Sequence, residues 1–536
     1  MATPPEIARL SQAAFAALSR RDFESARTLA RQALLLRPLD ANAHQVLGVI
    51  GLEIGDAAGA KKHLSAANAA APNQAPILNS LGVALRRLGE IDAARAAFQR
   101  AGELGLIDGW RNLGNLEELA LRFEASVAAY QKALKIAPRD AASHAALARA
   151  FERKHDLSQA KAHAEQSLAS DPGNENARLA LAQILLREKN FAAAETAVTP
   201  VTQNPAASLT NQALAWGHIG EARDKAGDAE GAFAAFTSAN RILMQVHAPL
   251  LSASHLLYHP DGVAFMTALA EHAAPSSWRH ARPDTPAPVF LVGFPRSGTT
   301  LLDQILSSHS AIFCIEEREH FANALAGVIG DKAKLADFAN LGEAEIAAAR
   351  ADYWRRVRAE NDIGEKIVID KLPLNIVVLP LIKRVFPDSK IIFALRDPRD
   401  VILSCYQQRF GMNAAMAQFL DLNSAAAYYD KMMSLFEVCR ARFDFDLHQV
   451  RYEDVVADLE GAARGLSAFL GVPYEPSMLA FRETALKREI NTPSARQVIE
   501  PLYNRSVGRW RAYARALAPA LAVLAPWAER YGYARD

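Results

Sequence analysis

Phe290–Leu302 reads FLVGFPRSGTTLL, an apolar run that breaks at Gly293 into a short turn and resumes as a helical pattern. A strand, a glycine-bounded turn and a helix start gather backbone N–H groups and the positive end of a helix dipole around one point, which makes an anion site. From Gly293 to Thr300 the spacing is that of a phosphate loop, Gly, four residues, Gly, Lys, then Ser or Thr, with one departure. Thr299 stands where the lysine belongs, and Arg296 lies three residues earlier.

Downstream the chain alternates short aliphatic runs with helical patterns: PVFLVG, KIVIDK, KIIFAL and HQVRYEDV are each followed by a helix. Such alternation predicts an α/β domain over 288–536, a central parallel sheet with covering helices. Open parallel sheets bind ligands at the carboxyl ends of their strands. KIIFAL is followed directly by Arg396, with Asp397 placed to cap and Pro398 to begin the next helix, and Ser404 two turns onward. KIVIDK ends on Lys371. SSHSAIFCIEEREHF adds Glu316, Glu317 and Glu319 beyond the first helix, with His309 and His320 as rival bases.

Upstream, residues 1–245 repeat. Pro38, Pro72, Pro138 and Pro172 fall near multiples of 34, while Gly48, Gly82, Gly114, Ala148 and Gly220 share one place in the first helix of their units. Ala26, Ala60, Ala94, Ala160 and Ala232 mark the second helix, and Phe98 and Phe236 follow their alanines by four. Small residues let paired helices approach closely, and proline ends each unit. This period resembles the tetratricopeptide repeat, which implies an all-α solenoid of six to seven units with a concave face that takes peptide-like partners. Residues 246–287, rich in proline, histidine and small polar residues, read as the junction between the two domains.

A chain of 536 residues exceeds one hydrophobic core, and its net charge of +1 supplies no global field for nucleic acid or acidic membranes. The three cysteines, Cys314, Cys405 and Cys439, have no CxxC spacing and no histidine cluster beside them, so neither a disulfide framework nor a structural metal is expected. The N-terminus lacks the order of a signal peptide, and no run of eighteen apolar residues occurs. The expectation is a cytoplasmic protein that neither spans nor binds a membrane.

PRSGTTLL resembles the 5′-phosphosulfate loop of sulfotransferases that use 3′-phosphoadenosine-5′-phosphosulfate (PAPS), closest to the tyrosylprotein sulfotransferase branch. The resemblance runs from Pro288 to the C-terminus. It implies that Arg296, Ser297, Gly298, Thr299 and Thr300 hold the 5′-phosphate and the sulfuryl group, and that Arg396 and Ser404 hold the 3′-phosphate. Tyr452, Ser494 and Arg509 are similar to further nucleotide contacts. Counting from Arg296 without gaps, Glu317 falls at the general base of that branch, with Glu316 beside it, and Lys371 matches the lysine that meets the sulfate and the leaving oxygen. No metal is implied. The expected reaction is in-line displacement on PAPS by a hydroxyl, releasing 3′-phosphoadenosine-5′-phosphate (PAP).

The sequence departs from the animal enzymes at Glu319, where a substrate-contacting arginine would stand, and in carrying repeats. The acceptor therefore stays open between a peptide tyrosine, on a protein recruited by the repeats, and a carbohydrate or small phenol. DKLPLN also lacks the histidine of the small-molecule branch. Two other readings stay open: a magnesium-dependent nucleotide kinase or triphosphatase using Asp370 or Asp397, and a repeat scaffold whose sheet domain is inactive.

Overall fold

The computed structural model describes residues 4–275, 278, 285–487 and 506–534. The chain divides into two compact units, Met1–Ala207 and Ser208–Asp536.

The first unit is helical, from Pro4–Ser19 to Phe191–Gln203, with each helix packed on its sequence neighbour. First helices of successive units begin at Ala41, Ala75, Ile107, Ala141 and Glu175, steps of 34 residues with one of 32. The small residues sit where the second helix sends a large side chain. A Cβ on Gly48, Gly82 or Gly114 would lie 2.4–2.6 Å from Leu64, Phe98 or Tyr130, closer than van der Waals contact permits. The recurrence is therefore a packing device, one small residue receiving one knob per pair.

Two histidine pairs repeat as well. Nδ1 of His44 lies 3.0 Å from Nδ1 of His63, and Nε2 of His44 lies 3.0 Å from the Pro38 carbonyl. His144 and His163 copy this at 2.9 Å, with Nε2 of His144 on the Pro138 carbonyl at 3.0 Å. The carbonyl fixes the first ring as an Nε2–H donor, so its Nδ1 accepts from the second ring. Burial, then the neighbouring ring, holds the His63 and His163 pKa values below the usual histidine range.

The second unit contains a five-stranded parallel sheet in the order β2-β3-β1-β4-β5, from β1 (Val289–Gly293), β2 (Ile312–Glu316), β3 (Ile367–Lys371), β4 (Lys390–Leu395) and β5 (Asp446–Arg451). The expected strands appear, and β2 joins them at an edge. β1 is buried along its whole length: Phe290 and Val292 enter one core, Val289 and Leu291 the other. Such two-sided burial explains its unbroken apolar run.

The repeat region was expected to reach 245, yet the first compact unit ends at Ala207. The helices Leu209–Lys225 and Ala229–Val246 keep the repeat frame, with Gly220 against Phe236. They belong to the second unit because their outward side chains meet its residues: Asn240 donates to the Tyr406 carbonyl at 3.0 Å, and Phe233 stacks on Tyr406. The expected junction is also partly ordered core. The helix Pro260–His272 buries Val263, Met266 and Ala270 in the same core as Phe290. Among the described residues no helix is long and apolar enough to cross a membrane.

Candidate active site

Each strand of the sheet ends at or directly before one of the residues singled out. β1 runs into the loop Phe294–Gly298, and the helix Thr299–Ser307 starts directly after it. Gly298 precedes that helix at φ +98° without a side-chain cap, so the first-turn N–H groups, which have no intrahelical acceptor, point into the loop. Only glycine fits here for a second reason: a Cβ would lie 2.9 Å from the Tyr452 ring, which closes over the loop from the end of β5. Ser297, Thr299 and Thr300 are buried in this turn.

Arg296 adopts φ +71° and Glu317 φ +45°; they are the two non-glycine residues of the second unit with positive φ among those described. The backbone of Arg296 turns its side chain across to the next element, where Nε donates to Ser404 Oγ at 2.9 Å. Ser404 lies in the helix Pro398–Gln407, whose start is as expected: Asp397 accepts from the Arg399 amide and Pro398 follows it. The two expected anion sites thus adjoin, because one arginine reaches from the first to the serine of the second.

Arg396 donates to the carbonyls of Arg296 at 3.1 Å and Ser506 at 2.6 Å, and its guanidinium lies 4.7 Å over the Tyr452 ring. Its Nε is buried without a hydrogen-bond partner among the described residues, an arrangement that suits an anion. Neither nearby carboxylate takes its hydrogen bonds. Asp397 accepts both arms of Arg399, and Asp400 accepts the amides of Gly508 and Trp510 at 2.7 Å each. Burial foremost raises the Asp400 pKa, against the pull of Arg396.

Lys371 is fully buried at the end of β3, and Nζ donates to Glu317 Oε1 at 3.0 Å, with Glu316 farther at 3.9 Å. The Glu317 amide extends the β2–β3 ladder onto the Lys371 carbonyl at 2.8 Å. Backbone and side chain together therefore hold this pair. Asp370 faces away: Tyr353 and Asn375 donate to it at 3.1 and 3.3 Å, and complete burial raises its pKa to about 7, with those hydrogen bonds and Lys371 opposing.

Of the rival histidines, His309 is hydrogen-bonded elsewhere, whereas Nε2 of His320 is buried without a hydrogen-bond partner among the described residues. His309 faces the Pro473 carbonyl at 2.7 Å and accepts from the Ala311 amide, while His320 is buried 3.7 Å from Glu360. Arg509 pairs with Asp224 of the helix Leu209–Lys225, which also accepts from Tyr513. Ser494 lies outside the described residues. Sequence reasoning missed Asn375, five residues from Asp370, and Tyr353 and Asp224, whose partners Asp370 and Tyr513 lie 17 and 289 residues away; the charge-dense RDPRD turn was the one available signal for Asp400.

Residues 288–476 match the sulfotransferase family, and residues 75–104 and 152–209 match tetratricopeptide repeats. An uncharacterized protein of Aquifex aeolicus (strain VF5) is 30% identical over 246 residues, 44% of this chain and 32% of that protein. Protein-tyrosine sulfotransferase 2 of Gallus gallus is 25% identical over 265 residues, 46% of this chain and 69% of the relative. Protein-tyrosine sulfotransferase 1 of Homo sapiens is 26% identical over 264 residues, 46% and 69%. The chain thus spans about a third of the Aquifex protein.

Proposed function

Because this chain joins tetratricopeptide repeats to a sulfotransferase-family domain, we propose that it transfers a sulfuryl group from PAPS to a hydroxyl acceptor. The observation that carries this is that three neighbouring parallel strands, β3, β1 and β4, each end at or are followed by a cation: Lys371 on Glu317, Arg296 on Ser404, and Arg396 over Tyr452. A donor with a phosphate at each end of its ribose needs two anion sites, and a sulfuryl group between donor and acceptor needs a third positive charge.

The donor supplies an activated sulfuryl group on a phosphate leaving oxygen. The loop amides and Arg296, with Ser297, Thr299 and Thr300, hold the 5′ side, and Arg396 with Ser404 holds the 3′-phosphate. Glu317, whose side chain is one-third exposed while Lys371 is fully buried, accepts the proton of an incoming hydroxyl. The acceptor oxygen forms its bond to sulfur as the bond from sulfur to the leaving oxygen breaks, and Lys371 offsets the charge arriving on that oxygen. The relatives' names specify protein tyrosine, and repeat arrays bind peptides. A tyrosine of a recruited protein is accordingly the acceptor proposed for this chain.

Thermal-shift titration compares adenosine 3′,5′-bisphosphate with ATP plus magnesium, and labelled-sulfate transfer to lysate proteins reads the reaction. Stabilisation by the bisphosphate and labelling of tyrosine are expected. Stabilisation by ATP alone would remove the donor assignment.

A further inference from the structure

The helices Leu209–Lys225 and Ala229–Val246 carry the repeat's sequence but grip the two elements that frame Arg396. On one side, Asn240 and Thr237 hold Tyr406 by its carbonyl and hydroxyl, at 3.0 and 2.9 Å, two residues beyond Ser404. On the other, Asp224 accepts from both Arg509 and Tyr513. The segment so held is the one whose Ser506 carbonyl takes Arg396 and whose Gly508 and Trp510 amides take Asp400. Trp510 in turn lies under Arg399 at 4.0 Å, so the segment is fastened along its length.

From this geometry we infer that Asp224 is a positioning residue for the 3′-phosphate: it fixes the 506–513 segment, which holds the Arg396 guanidinium in place. The inference rests on the donor reading above and adds that the last repeat-like pair is a working part of the donor site. Asp224 touches none of the reacting groups. Its carboxylate acts at one remove, through Arg509 and Tyr513, and its loss frees the segment to move away from Arg396.

The test compares affinities of the full chain for adenosine 3′,5′-bisphosphate and for AMP, which lacks the 3′-phosphate, by calorimetry. Asp224→Ala is expected to weaken the bisphosphate about tenfold, the size of one charge-assisted hydrogen bond, and to leave AMP nearly unchanged. Asp224→Glu, which keeps the carboxylate, restores part of the preference; Asp224→Asn replaces the alanine variant if that one does not fold. A general loosening of the fold would weaken both nucleotides alike, and that result, or an unchanged preference, overturns the inference. A wild-type protein that does not prefer the bisphosphate gives a different pattern: it overturns the donor reading itself, and this inference with it.

Discussion

Gly298→Ala tests the loop from its backbone outward. The residue holds φ +98° and its would-be Cβ lies 2.9 Å from the Tyr452 ring. The left-handed backbone costs an L-residue roughly 1–2 kcal/mol, and forcing a methyl against a packed ring adds roughly 1–3 kcal/mol. A total of about 2–5 kcal/mol corresponds to a melting temperature lowered by about 4–10 °C, taking ~2 °C per kcal/mol for a unit of this size. The two contributions separate in a double-mutant cycle. With Tyr452→Ala in the background only the backbone cost remains, so the coupling between positions should be about 1–3 kcal/mol. Melting curves of the four proteins supply the cycle, and bisphosphate binding reports whether the loop still forms. Additive costs, or a Gly298→Ala protein that melts and binds like wild type, would refute the account of loop and ring as one closed surface.

Lys371→Met should cut labelled-sulfate transfer by about 100-fold or more, typical for losing a group that stabilises transition-state charge, while bisphosphate affinity changes little; single-turnover transfer and calorimetry measure the two. Asp370, with a folded pKa of about 7 against an ordinary 3.8, favours the fold when protonated. Its contribution is complete below the unfolded value and is lost as pH rises toward 7, so Asp370→Asn should flatten the fall in melting temperature of the second unit across that window. The histidine pairs run the opposite way. With His63 and His163 held below the usual range, their contribution is complete above the unfolded histidine value and is lost as pH falls through the depressed values. Charging both rings sets two N–H donors 3.0 Å apart at His44 and His63. Hydrogen exchange over residues 41–70 and 141–170 should quicken in acid and stay level in a His63→Gln, His163→Gln protein.

The repeat was legible because its device is local. A proline, a small residue and a large residue at fixed offsets suffice to mark each pair, and Gly48 against Leu64 or Gly82 against Phe98 shows why those offsets matter. Strands β1, β3 and β4 were legible because each is buried enough to need an apolar run, and that run stops where the site begins, at Gly293, Lys371 and Arg396. β2 was not: IFCIE is five residues at a sheet edge, followed directly by charge, and reads equally as part of an acidic turn. What stayed hidden is tertiary. Nothing in the repeat frame tells that Asn240 will meet Tyr406 rather than another repeat, since the frame records only how two helices of a pair touch. The contact of Arg296 with Ser404, 108 residues apart, likewise depends on β1 and β4 being neighbours.

Arg296 and Glu317 share a backbone conformation that glycine would occupy more comfortably. In the proposed reaction their side chains bind the donor and take the proton, and the turn that aims them works against the stability of the fold. A library of variants screened only for resistance to heat would therefore tend to enrich glycine or asparagine at both positions. On the proposed mechanism it would return a sturdier protein with an empty reaction edge, durability and turnover being set by opposing choices at the same two residues.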